Sequence, residues 1–222
     1  MNFGLAFSYV FKDEGWFKKV ALPALCTLIP VVGAFISLGW ALKAAKNVID
    51  GNEEHALPDL EFGADLGRGF MAFLINLVYS LPVILLSGIA GALFGLSADA
   101  DQAVQVIMYI FGGCFGLLGI LLALLIAFMS VAGLANYVAK GKFGAAFKFK
   151  EVFGMLKKSF VSWLLVIVGQ IIALGIIAPL GSIACGIGAL LTATYGNAVV
   201  GHLLGQAYNK SASPLMEDVE VL

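Results

Sequence analysis

The chain of 222 residues is 61% hydrophobic and 12% charged, with a mean hydropathy of +0.99; a soluble globular domain runs at about 45–50% apolar and about 25% charged. Too few polar residues remain to coat a water-soluble core of this size, so lipid must cover the rest and a soluble domain is excluded. The net charge of −1, from 13 basic and 14 acidic residues, leaves no basic excess for a phosphate backbone, which sets nucleic acid aside as a partner.

In chain order, the first unit covers residues 1–51. Phe3, Phe7, Val10 and Phe11 fall on one helical face, as in a helix lying in the membrane interface. Mixed charges follow (Lys12, Asp13, Glu14, Lys18, Lys19), and residues 43–50 offer no small-residue cleavage site, so the first apolar run, 20–42, reads as retained rather than as a signal peptide. Pro30 and Gly33 break that run. Read as a hairpin, its arms have about 15–17 residues each, or about 22–26 Å, against a hydrocarbon core of about 30 Å, so they are short, tilted or re-entrant.

The second unit covers residues 52–141. An acidic stretch at 57–66 is expected to be an interface segment ahead of two long uncharged runs, 69–98 and 102–139. The turn between them holds Asp99 and Asp101. Asp99 with Gln102 resembles a capping box for the next helix, a simpler reading than a cation site.

The third unit covers residues 142–210. Phe149, Val152, Phe153, Leu156 and Phe160 share a helical face, and Lys148, Lys150, Lys157 and Lys158 surround them. Such a helix buries its apolar side at the acyl boundary while its lysines meet anionic headgroups, which makes membrane lipids an expected partner. The last uncharged run, 159–209, is expected to turn near Pro179 and Gly181, and residues 211–222 form a short acidic tail.

The expected fold is therefore all-α, a polytopic transmembrane bundle of three hairpins with five to six membrane segments, each hairpin preceded by an amphipathic helix. All 13 basic residues cluster before, between and after the hairpins, and none lies in the turns at 30–33, 97–101 or 179–181. This is the positive-inside pattern, with both termini cytoplasmic. The alternative, a single crossing over 20–42, leaves Lys12, Lys18 and Lys19 on the opposite face. A 90-residue offset aligns Gly51 with Gly141, Ala56 with Ala146, Glu61 with Glu151, Leu66 with Leu156 and Phe70 with Phe160, the trace of an internal repeat.

Three glycine pairs at four-residue spacing, Gly91 and Gly95, Gly112 and Gly116, Gly201 and Gly205, allow close helix contact in lipid. They serve either packing inside one chain or a homo-oligomer. Pro23, Pro30, Pro82 and Pro179 kink or end helices. Cys26, Cys114 and Cys185 are too far apart for a metal or redox pair.

No Asp, Glu or Arg interrupts the apolar runs, which weighs against proton- or sodium-coupled transport. The polar residues that do occur there are Asn76 with Tyr79, Gln170, Asn197, and His202 with Gln206. They serve either as interhelical hydrogen bonds or as the lining of a polar cavity. His55 beside Glu53 and Glu54 has too few partners for a metal site. No nucleophile elbow, phosphate loop or zinc-protease motif occurs, so no cofactor is expected and an enzyme is least favoured.

The opening Phe7-Ser8-Tyr9-Val10-Phe11-Lys12-Asp13, with Trp16, Lys18 and Lys19, then Pro30, Gly33, Gly39-Trp40, Val48-Ile49-Asp50-Gly51 and Leu57-Pro58, resembles a family of small prokaryotic membrane proteins catalogued only as a domain of unknown function. The resemblance implies a bacterial or archaeal plasma-membrane protein and supplies no activity. The expected role is a membrane scaffold or accessory protein that associates with lipid or a partner protein. The alternatives are a channel or carrier for a small or amphiphilic solute, or an enzyme of lipid chemistry using His202 or the loop acids.

Overall fold

The computed structural model describes residues 1–183 and 187–217. Among them the fold is all-α with no strand, because a helix satisfies its own backbone groups in lipid and an open strand does not. The helices are α1 (Phe3–Ser8, extended by a 3-10 turn over Tyr9–Lys12), α2 (Trp16–Cys26), α3 (Val32–Ile49), α4 (Phe62–Leu96), α5 (Gln102–Lys140), α6 (Phe149–Lys158), α7 (Phe160–Ile183) and α8 (Ile187–Glu217). The helical course to Glu217 carries α8 past the expected start of the tail at residue 211.

Three helices, α4, α5 and α7, are long and apolar enough to cross a bilayer. Their 35, 39 and 24 residues correspond to about 52, 58 and 36 Å, so α4 and α5 exceed a core of about 30 Å. In the far half of the α4–α5 hairpin, the buried positions are those where its two arms meet. Gly112 lies under the Phe94 ring and Gly119 against Leu86 and Ser87. Around them Leu81, Ile84, Leu85, Ile110, Phe111, Leu118 and Leu121 are exposed, the surface that lipid covers.

α3 is different in kind. Ile36, Trp40, Ala44, Ala45 and Val48 are fully buried in protein, and α4 and α8 cross it at glycines. A Cβ on Gly39 would fall on the Asp65 carbonyl, one on Gly69 on the Phe35 carbonyl, and one on Gly201 or Gly205 on the Ala41 or Ala45 carbonyl. Gly201 and Gly205 therefore pack within the chain, where backbone approach brings dispersion contact that larger residues would block.

Between α2 and α3 the chain reverses through Val31, whose φ of 65° is rare for a β-branched residue. The Val32 amide donates to the Pro30 carbonyl at 2.7 Å, which makes this a γ-turn of the strained sign. Substituting Val31→Gly is expected to raise the melting temperature in detergent, with relief of about 1–2 kcal/mol of strain partly offset by glycine's greater unfolded-state entropy. An unchanged or lower melting temperature counts against strain at this turn.

Three sequence expectations are corrected. The stretch 57–66 is not an interface helix: residues 56–61 are in no regular secondary structure and Phe62 begins α4 directly. The segment is a strap held to α3, with Trp40 Nε1 donating to Pro58 O (2.9 Å), Asn47 Nδ2 to Ala56 O (2.9 Å) and Lys43 Nζ to Asp59 O (3.1 Å). α5 starts at Gln102 with Asp101 in the cap position and no side-chain capping bond, so a box from Asp99 has the wrong register. Finally, α7 runs past Pro179 through a seven-residue π segment (Ile171–Ile177) to Ile183. Pro179 has no N–H to give Gly175, and the wider π register accommodates that loss without breaking the helix. Cys185 lies outside the described residues.

A second strap repeats the first. Beyond the left-handed cap at Gly141 (φ 65°), Asn136 Nδ2 donates to Ala145 O at 2.8 Å, again nine residues on, as Asn47 does to Ala56. Tyr79 Oη donates to Ala146 O at 2.6 Å. Glu151 accepts from Lys140, Asn136 and Lys148, and the Lys140 ammonium, aided by the other two donors, holds its carboxyl down to about 2. In the first strap the equivalent Glu61 accepts from Lys43.

Candidate functional site

A recess of about 600 Å³ opens between α3, α4, α5, α7 and α8. Its walls are aliphatic, with Leu38 and Leu42 from α3, Val131 and Leu134 from α5, Leu174 from α7, and Val200 and Leu204 from α8. Into this apolar lining α4 places Asn76, α5 Ser130, α7 Gln170 and α8 Asn197. No ionisable side chain contributes to the wall.

The hydrogen bonding of these groups is incomplete. Asn197 Nδ2 donates to Ser37 Oγ at 3.1 Å, and Ser130 Oγ donates to Ala127 O at 3.2 Å. The carboxamides of Asn76 and Gln170 make no hydrogen bond to the described residues, and Gln170 is exposed at the mouth beside Ile171. The π segment also reaches the recess, since Gly175 is part of the wall. Such π segments are frequent at functional sites.

The remaining polar candidates lie elsewhere. His202 is five residues from Asn197, about 140° around the helix, and faces the N-terminal segment. Its Nε2 donates to Glu53 O at 2.7 Å while its Nδ1 accepts from Gln206 Nε2 at 2.9 Å, which assigns the neutral tautomer with the proton on Nε2. Gln206 in turn holds Asn2, accepting from its amide N–H (2.5 Å) and donating to its carbonyl (3.0 Å). Tyr9 stacks on His202 at 4.3 Å and donates to Ala198 O at 3.1 Å. This satisfied network latches α1 onto α8. The reading of Phe3, Phe7, Val10 and Phe11 as one interfacial face does not hold, because Val10 is buried and Phe3 and Phe7 pack on the core, while Phe11 is exposed. Tyr79 is occupied by the second strap.

One end of the bundle gathers the polar straps and chain ends. Lys12 pairs with Glu54 at 3.2 Å, Lys43 with Glu61, and Ser159 Oγ donates to Lys210 O at 3.3 Å. Of the lysines expected to meet lipid, Lys148 is paired with Glu151 at 3.1 Å, and Lys157 lies over the Phe153 ring at 4.8 Å. Lys150 and Lys158 are exposed and form no ion pair among the described residues. The glycine pairs divide. Gly201 and Gly205 meet α3 and Gly112 meets Phe94, whereas Gly91, Gly95 and Gly116 have nothing within 4 Å. Sequence reasoning missed Ser130 and the π segment; Pro179 four residues after Gly175 was the available signal for the latter.

Three apolar spanning-length helices around a buried α3, with a recess between them, define a helical membrane bundle. The chain belongs to the family described as Protein of unknown function (DUF4013), which matches residues 22–187. The match takes in the recess walls from α3, α4, α5 and α7 and stops where α8 begins. No curated protein and no solved structure matches the chain.

Proposed function

We propose that the protein binds an uncharged amphiphile in this recess, as a membrane carrier or receptor for it. The observation that carries the reading is the convergence of Asn76, Gln170 and Asn197, from three different helices, on one aliphatic cavity. About 600 Å³ lies within the 300–1,000 Å³ usual for small-molecule sites, where a few polar groups fix orientation inside an apolar wall. Unpaired carboxamides facing hydrocarbon are costly, and a ligand head bearing hydroxyl or carbonyl groups would pair them. With no Lys, Arg or His in the wall, an ionised head would be left without a counter-charge. In this reading the end that gathers the straps is cytoplasmic, supported by the clustering of basic residues there. His202 is left structural, its two ring nitrogens both bonded.

The test is native mass spectrometry of protein released gently from its own membrane, wild type beside an Asn76→Leu/Gln170→Leu variant. A retained neutral adduct that the variant loses while still folding is the expected result. A bare wild-type protein whose melting temperature is unmoved by added mono- or diacylglycerol sinks the proposal.

A scaffold reading rests on Gly91, Gly95 and Gly116 on the far half of the hairpin, the first two exposed and the third half-buried, each with open space where a second copy could pack. Crosslinking in native membranes that captures a dimer through these positions would favour it.

A further inference from the structure

α6 is the most amphipathic-looking segment of the chain, yet its apolar residues divide into two sets. Val152, Met155 and Leu156 are buried in the bundle, whereas Phe149 (58%) and Phe153 (46%) point outward, as do Phe143 before the helix and Phe160 after it. Ser159 alone separates α6 from the spanning helix α7, and α5 ends only nine residues before α6 begins, at Lys140. The phenylalanines are thus held at the level where two spanning helices leave the bilayer, the depth at which aromatic side chains settle.

Beside them is a groove of about 330 Å³ with walls from Leu125 and Phe128 of α5, Phe153 and Leu156 of α6, and Phe160 at the start of α7. Phe128 and Phe160 stack at 5.2 Å to form its floor. The one charged residue on its wall is Lys157, whose ammonium sits 4.8 Å over the Phe153 ring. Lys150 and Lys158 stand exposed on the same helix, with no ion pair among the described residues. We infer that this groove is a binding site for an anionic phospholipid, with an acyl chain lying against Phe128, Phe153 and Phe160 and the phosphate at Lys157 and Lys158. A free phosphate ion is not the occupant of the groove, since its aromatic and aliphatic walls would bury the oxygens against carbon. Charge complementarity selects the headgroup, and the groove's place at the bilayer boundary selects a lipid as its bearer. The site is separate from the central recess, and its test is independent of what the recess binds.

The test uses the full chain in nanodiscs of dioleoylphosphatidylcholine with dioleoylphosphatidylglycerol, counting each lipid retained per protein after mild delipidation. Wild type is expected to keep phosphatidylglycerol selectively, and Lys157→Gln and Lys158→Gln to lower that selectivity by about fivefold each. Phe153→Ala is expected to reduce retention of both lipids, with the melting temperature recorded in every case to confirm a folded protein. Equal retention of the two lipids by wild type, or a selectivity that Lys157→Gln/Lys158→Gln leaves unchanged in a folded protein, overturns the assignment.

Discussion

Substituting Gly39→Leu is expected to abolish the folded bundle, with loss of the monodisperse peak on size exclusion in detergent and no cooperative thermal transition. The new Cβ would occupy the position of the Asp65 carbonyl and press on the amide of Gly69, and both neighbours are backbone. A side chain can rotate out of the way, but a helix backbone can only move as a body. α4 would have to withdraw from α3, taking with it the Arg68 bond to Gly39 O (3.3 Å) and the strap that Trp40 holds at Pro58. Overpacking a well-filled core costs about 1–3 kcal/mol where side chains can adjust. Here they cannot, so the cost reaches the scale of about 5–15 kcal/mol that separates folded from unfolded domains. Gly67→Leu is the control, since Gly67 lies on α4, the partner helix of the crossing, with nothing within 4 Å, and leucine is the better helix former. If Gly39→Leu melts within a few degrees of wild type, the close crossing is not as described.

That crossing also marks where the sequence stops being informative. Gly201 and Gly205 were legible because both lie on one helix at a spacing that names their shared face. Gly39 and Gly69 lie on different helices, and no periodicity connects them. The long runs of α4, α5 and α7 were readable because lipid demands unbroken apolar helix. α3 and α8 are harder to read, since they face protein, where small and polar residues are tolerated. The recess was half visible for a similar reason. Asn76, Gln170 and Asn197 stood out as polar residues in apolar runs, but so did Tyr79, His202 and Gln206, and composition does not give the azimuth of a side chain toward a neighbouring helix. The aromatic face of α6 was read as one surface, whereas packing splits it into an aliphatic side that enters the bundle and phenylalanines that leave it. The repeat was visible at Glu61 and Glu151, and in the structure each carboxylate accepts from a lysine of the helix before its strap, Lys43 of α3 and Lys140 of α5. The matching amides Asn47 and Asn136 were missed because their partners are backbone carbonyls.

Asp65→Ala is expected to destabilise the protein by about 3 kcal/mol, read as a lower melting temperature in a defined detergent. Asp65 is fully buried. Its carboxylate accepts from Arg68 Nη1 at 2.6 Å and from the Glu61 amide at 2.8 Å. Its position in the first turn of α4 adds the favourable field of a helix N-terminus. Removing it strands a guanidinium whose side chain is only 28% exposed and leaves an amide at the head of α4 without its acceptor. Breaking a buried pair from one side costs about 3–5 kcal/mol, mainly because the surviving charge has lost its partner; the partial exposure of Arg68 places this case at the lower end. The same argument predicts that Asp65→Ala/Arg68→Met recovers most of the loss, since the double variant leaves no unpaired charge. Asp65→Asn should fall between, keeping the acceptor for Glu61 N–H while losing the charge. A double variant no more stable than Asp65→Ala alone would mean that Asp65 acts through the shape of the strap and not through its pairing with Arg68.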